Sequence, residues 1–162
     1  MSEVHYYRPK MKLAKLLREP GGKTVGEAVK DANAGLESIS ADCLNEVDAG
    51  LGRIDAAFAA IPTGFDIEAL HGLYTAVNGL IGLPGIVGLS EMETAAYSLA
   101  DLIDRMMAAG RFEREAVRVH VQALRLLRRP DVLGLTAVGE VLAGLAQVRD
   151  KYRNIEAAAA AG

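Results

Sequence analysis

The chain has no tryptophan, only three phenylalanines and a single cysteine among its 162 residues. One thiol, Cys43, excludes an internal disulfide, so nothing in the sequence points to an oxidising compartment. Long apolar runs are missing too. The longest nearly apolar stretch, Leu80 to Leu89, is broken by Gly82, Pro84, Gly85 and Gly88, and falls far short of the roughly 18 residues that span a bilayer. Residues 1–10 are polar and aromatic and lack the apolar centre of a secretory signal. A cytoplasmic protein with no membrane insertion is the expectation. No glycine-rich phosphate loop, Ser-His-Asp order or Cys-His pairing stands out. Neither catalysis nor a cofactor is expected.

What is present favours helices. Hydrophobic residues make up 51% of the chain, enough for one substantial core at this length, and they are mostly Ala, Leu, Val and Ile, of which Ala and Leu rank at the top of helix propensity. The formal charge of −3 hides an asymmetry. Residues 1–23 carry Arg8, Lys10, Lys12, Lys15, Arg18 and Lys23 against Glu3 and Glu19, a local charge of +4 that leaves −7 on the remainder. This basic stretch is short and has no arginine cluster, so it reads as a docking or solvated segment, with no nucleic-acid partner expected.

Pro20-Gly21-Gly22 separates residues 1–22, read as an N-terminal arm, from the folded body. Thr24-Val25-Gly26-Glu27 has the form of a capping box, in which hydroxyl and carboxylate reciprocally satisfy backbone donors at a helix start. Apolar residues then recur every three or four positions: Val29, Ala32, Leu36, Ile39, Cys43, Val47, Leu51, Ile54, Phe58 and Ile61. That seam predicts an amphipathic helix over 24–61, about 57 Å long if unbroken. Asp66 caps a second helix over 66–83, with Ile67, Leu70, Tyr74, Val77 and Ile81 inward and Glu68, His71, Thr75, Asn78 and Gly82 outward.

Ser90-Glu91-Met92-Glu93 reads as a second capping box, opening a helix to about Ala109 with Leu99, Leu102, Ile103 and Met106 inward. The next helix, from about Glu113 to Arg128, has Val117, Val121, Leu124 and Leu127 on one side, and Pro130 stops it. A last helix runs from about Leu135 through Val138, Val141, Leu142, Leu145 and Val148 to about Glu156, followed by an Ala-rich tail at 157–162. The predicted class is all-α, an antiparallel four-helix bundle over 23–156 with one extra helix.

One stretch carries a functional resemblance. In Leu70-His71-Gly72-Leu73-Tyr74-Thr75-Ala76-Val77-Asn78-Gly79, continuing to Gly85, the spacing resembles the phosphorylatable helix of histidine phosphotransfer (HPt) domains. That family has His, two residues, Lys or Arg, then Gly, and a further Gly about six residues on. Here Asn78-Gly79 occupies the Lys-Gly position and Thr75 the histidine position. Val117 to Leu127 is similar to the fourth HPt helix, and the arm, with Tyr6-Tyr7-Arg8-Pro9 and Leu16-Leu17-Arg18-Glu19-Pro20, more loosely resembles the CheE family of chemotaxis accessory proteins. The resemblance implies two-component signalling, with a response-regulator receiver domain or a histidine kinase as partner. The implied docking face is Glu68, His71, Thr75, Asn78, Gly79 and Gly82.

The departures bear on chemistry. A phosphorelay needs an imidazole that forms a labile phosphoramidate, and Thr75 offers a hydroxyl without an adjacent base. His71 is the one candidate phosphoacceptor, but it lies about 6 Å further along the axis, whereas in-line transfer needs atoms roughly 3–3.5 Å apart. The sequence therefore predicts a partner-binding protein that does not carry phosphate. Active phosphotransfer through His71 and a purely structural or dimerising helical module stay open as alternatives. Glu68-x-x-His71 matches one half of a di-iron motif, but the second copy is missing, since Val117 stands three residues before His120; no metal is expected. His120 reads as a partly buried structural residue, and Met92, Met106 and Met107 as core filler.

Overall fold

The structure, a computed structural model, describes residues 22–160, with side chains described as far as Tyr152. Residues 1–21 of the N-terminal arm, and with them the CheE-like segment, lie outside the described residues. The described residues are helical, without strands. The elements are α1 (Val25–Ala60), α2 (Ile67–Asn78), α3 (Leu83–Ile86), α4 (Ser90–Ala108), α5 (Arg114–Leu127), α6 (Pro130–Leu133) and α7 (Leu135–Ala160). None of them is long and apolar enough to cross a membrane. The chain divides into two compact units, Met1–Ser38 and Ile39–Gly162.

In the first unit, the capping box forms as the sequence predicts. Glu27 N donates to Thr24 Oγ1 at 3.2 Å, while the Glu27 carboxylate accepts from Thr24 N at 2.8 Å and from Thr24 Oγ1 at 2.9 Å. These bonds hold the Glu27 carboxyl below its ordinary pKa, the backbone bond from Thr24 contributing most. The seam behind the cap differs from expectation: Val29, Ala32 and Leu36 are exposed, as is Ile39 at the start of the second unit. Periodicity establishes that a helix has an apolar face, not that another element covers it. Neither Gly35 nor the Gly50-Leu51-Gly52 run interrupts α1.

In the second unit, α4 is central. It packs against α2, α3, α5 and α7, and its buried set extends beyond the expected Leu99, Leu102, Ile103 and Met106 to Met92, Ala95, Ala96, Ser98 and Ala100. The Ser90-to-Glu93 capping box does not form. Leu89 occupies the N-cap without a side-chain bond, Ser90 Oγ bonds Glu91 instead, and the Glu93 carboxylate lies against Gly85.

The second part of α1 contributes Val47, Gly50, Leu51 and Ile54 to the core. A Cβ at Gly50 would stand 3.0 Å from Leu80 Cδ1, so a glycine admits that leucine. Ion pairs tie α1 to α5: Arg128 donates to both Asp48 carboxylate oxygens at 2.7 and 3.0 Å, and Arg125 pairs with Asp55. Arg114 donates to the Ile61 carbonyl at 2.8 Å and lies over the Phe58 ring at 4.9 Å. All four expected inward residues of α5 are buried. Pro130 opens the one-turn α6, as its fixed φ and missing N–H allow at a first helical position. The Ala-rich end read as a separate tail is helical through Ala160. Val138 and Leu145 of α7 are buried, and Val141, Leu142 and Val148 are half-buried.

Candidate functional site

The site is built on α2. Asp66 caps it, its Oδ1 accepting from Glu68 N and Ala69 N at 3.0 Å each. The buried stripe is Leu70, Leu73, Val77 and Leu80, with Tyr74 and Ile81 half-buried. The stripe expected from periodicity begins at Ile67, yet Ile67 is 53% exposed, whereas Leu73 and Leu80, outside that stripe, are wholly buried. Spacings of three, four and three between Leu70 and Leu80 follow α4 more closely than the set starting at Ile67, which sits in the first turn.

The predicted continuous helix to residue 83 also breaks earlier. After Asn78 the backbone tightens to three-residue bonds, Leu80 N to Val77 O at 3.0 Å and Ile81 N to Asn78 O at 3.2 Å. Gly82 then takes φ +93°, where a side chain would be strained. Pro84 sits in α3, and Leu89 N closes the turn on the Pro84 carbonyl at 2.8 Å.

Glu68, His71, Thr75, Asn78, Gly79 and Gly82 are all exposed. The structure adds Gly72 and Ile67 to the same surface. Their signal was available, because 68, 71, 72, 75, 78, 79 and 82 follow a period near 3.6. His71 lies beside Tyr74, ring centroids 6.5 Å apart and planes tilted by 45°.

The polar groups on this face are committed in a specific way. Thr75 Oγ1 donates to the His71 carbonyl at 2.9 Å, and Asn78 Nδ2 donates to the Tyr74 carbonyl at 3.1 Å. The Thr75 hydroxyl proton and one Asn78 amide proton are spent on the preceding turn. What remains are the Thr75 hydroxyl oxygen and the Asn78 amide oxygen as acceptors and the second Asn78 N–H as a donor. A hydroxyl whose proton is given to a backbone carbonyl is not positioned for removal by a base. Among the described residues, no group of three His, Cys, Asp or Glu side chains could hold a metal ion.

A second polar feature lies in the core. His120, read from the sequence as partly buried, has no exposed surface. Its Nδ1 donates to the Ala116 carbonyl at 2.9 Å, and its Nε2 lies 3.1 Å from Ser98 Oγ, which donates to it in this tautomer. Burial pushes the imidazole pKa down, and the Arg149 charge acts in the same direction, while the bond to Ala116 opposes both. Nearby, the Tyr152 phenol donates to Glu113 and is pushed up to about 12, foremost by burial and then by the Glu113 charge.

The two glycines after α2 separate by substitution. Gly79 is in right-handed helical conformation, and a Cβ there makes only ordinary 3.5 Å contacts with Thr75 and Ala76 carbonyls. Gly79→Ala is expected to be neutral or to stabilise by about 0.5 kcal/mol. Gly82→Ala, forced into positive φ, is expected to cost about 1 kcal/mol. Urea unfolding of the two variants checks the pair; equal effects would contradict the backbone geometry. No family model, curated protein or solved structure matches this chain.

Proposed function

We propose that this protein is an HPt-like antiparallel helical bundle that binds a receiver domain or a histidine kinase of a two-component pathway, such as one for chemotaxis, without carrying phosphate. The observation that supports this reading is the exposed face of α2: Glu68, His71, Thr75, Asn78, Gly79 and Gly82 together, with the Thr75 proton given to the His71 carbonyl. At Gly79 a partner backbone can approach closely. Thr75 and Asn78 accept hydrogen bonds from it, and Ile67 supplies an adjoining apolar contact. Phosphate is not taken up, because the hydroxyl at the acceptor position has no base and His71 is one turn away.

Incubation with a phosphorylated receiver domain is expected to give a complex but no acid-labile phosphoprotein. Gly79→Trp is expected to weaken the complex by about tenfold or more through steric exclusion at its centre. Phosphate on the wild-type chain that vanishes in His71→Ala would replace this reading with active phosphotransfer. Absence of affinity for any receiver or kinase would leave a structural helical module.

A further inference from the structure

Resting on the docking reading above, with a receiver domain as the partner, we infer that the α2 face selects the unphosphorylated form of that receiver. Phosphorylation replaces one aspartate carboxylate by a group of about −2 charge with three strong acceptor oxygens. A surface that prefers the phosphorylated form has to offer it cations or free donors. On the docking reading Thr75 stands where the aspartate approaches, and the surroundings of Thr75 offer the reverse.

Hydrogen-bonding capacity is the first reason. Thr75 Oγ1 and one Asn78 N–H donate to the His71 and Tyr74 carbonyls at 2.9 and 3.1 Å, and the Gly79 amide donates to the Thr75 carbonyl at 3.0 Å. A phosphoryl group set against Thr75 therefore gives up water to meet two acceptors, the hydroxyl oxygen and the Asn78 amide oxygen. The donors left nearby are the second Asn78 N–H and one ring N–H of His71, a full turn away. A partner surface of N–H and O–H donors, by contrast, is satisfied by the same two acceptors.

Charge acts in the same direction. Thr75 and Asn78 lie in the last turn of α2, where the carbonyl end of a helix carries the negative pole of its dipole, about half an elementary charge. No basic side chain stands in that turn to offset it. Residues 54–104, which span the end of α1, all of α2 and α3 and most of α4, contain no lysine or arginine and seven acids. Glu68 is exposed on the face itself, and Glu93 lies against Gly85 beyond its far end. Arg53 of α1 borders Gly50 together with Leu80, but its guanidinium is paired with Glu46 at 2.7 Å. Coupling of this kind is reciprocal: a face that favours the unphosphorylated receiver makes the bound receiver harder to phosphorylate by the same factor.

Calorimetric titration of the full chain with receiver domains from the same genome tests this, each receiver measured free and then saturated with beryllofluoride, a mimic of the phosphoryl group on aspartate. The free form is expected to bind at least about fivefold more tightly, and the chain to weaken beryllofluoride uptake by the same factor. Asn78→Lys, which puts a cation beside Thr75 at an exposed position, is expected to narrow or reverse the ratio, and Asn78→Gln to keep it. Thermal unfolding matching the wild type shows that both variants are folded. Equal or tighter binding of the beryllofluoride form, or a ratio unmoved by Asn78→Lys, would overturn this inference and leave the docking reading standing. No affinity for any receiver in either form would remove the receiver from the docking reading, and this inference with it.

Discussion

His120→Ala is expected to lower unfolding stability by about 3–4 kcal/mol, among the largest losses available to a single polar residue here. The imidazole is wholly enclosed, so its removal leaves a cavity. It also strands the Ser98 hydroxyl, which it now satisfies. Among the described residues, no buried side-chain nitrogen or oxygen lacks a partner, and this substitution would create one. Urea unfolding measures the loss; a change below about 1 kcal/mol would show that the site is open to water or collapses freely.

The same residue gives stability a pH dependence with a fixed sign. Its folded-state pKa lies below the ordinary 6.5, so the unfolded chain binds a proton before the folded one does. The contribution is therefore fully present above the unfolded value and declines as pH falls through it, levelling once folded His120 itself protonates. The slope cannot exceed about 1.4 kcal/mol per pH unit from this group. Comparing wild type with His120→Gln at about pH 7.5 and 5.5 isolates it: the wild type should lose more stability than the variant over that interval. An equal loss in both would contradict a neutral, enclosed imidazole.

The second large effect tests the register of α2. Leu73→Ala is expected to cost about 3 kcal/mol and Ile67→Ala no more than about 0.5 kcal/mol, because the first empties a wholly buried position and the second trims an exposed one. The face carrying His71, Thr75 and Asn78 is defined by what lies opposite it. A large loss at Ile67 with little at Leu73 would rotate the helix and take the candidate site off the surface. Thermal or urea unfolding of the two variants suffices.

These cases show what could be read from residues alone. The Thr24–Glu27 box forms because both partners lie within one turn, so local spacing decides it. Ser90 and Glu93 have the same spacing, but Glu93 is drawn to Gly85, where the absent side chain leaves room, and a tertiary contact overrides the local motif. The outward set on α2 was legible from its period, whereas Leu73 and Leu80 were assigned only once the position of α4 was known. His120 and Ser98 are 22 residues apart, and no periodic pattern links them. The long seam of α1 was visible throughout. The exposure of Val25, Val29, Leu36 and Ile39 was not, since a sequence records which side of a helix is apolar and not what meets it.

The central claim is that the α2 face docks a signalling partner without accepting phosphate. Titration of the isotopically labelled chain with an unphosphorylated, and then a phosphorylated, receiver domain from the same genome tests it most directly by following backbone amide resonances. The account predicts shifts confined to Glu68, His71, Thr75, Asn78, Gly79, Gly82 and their immediate neighbours, with none of the large change at His71 that phosphorylation would bring. Shifts elsewhere with this face silent, or a phosphohistidine signal at His71, would contradict it.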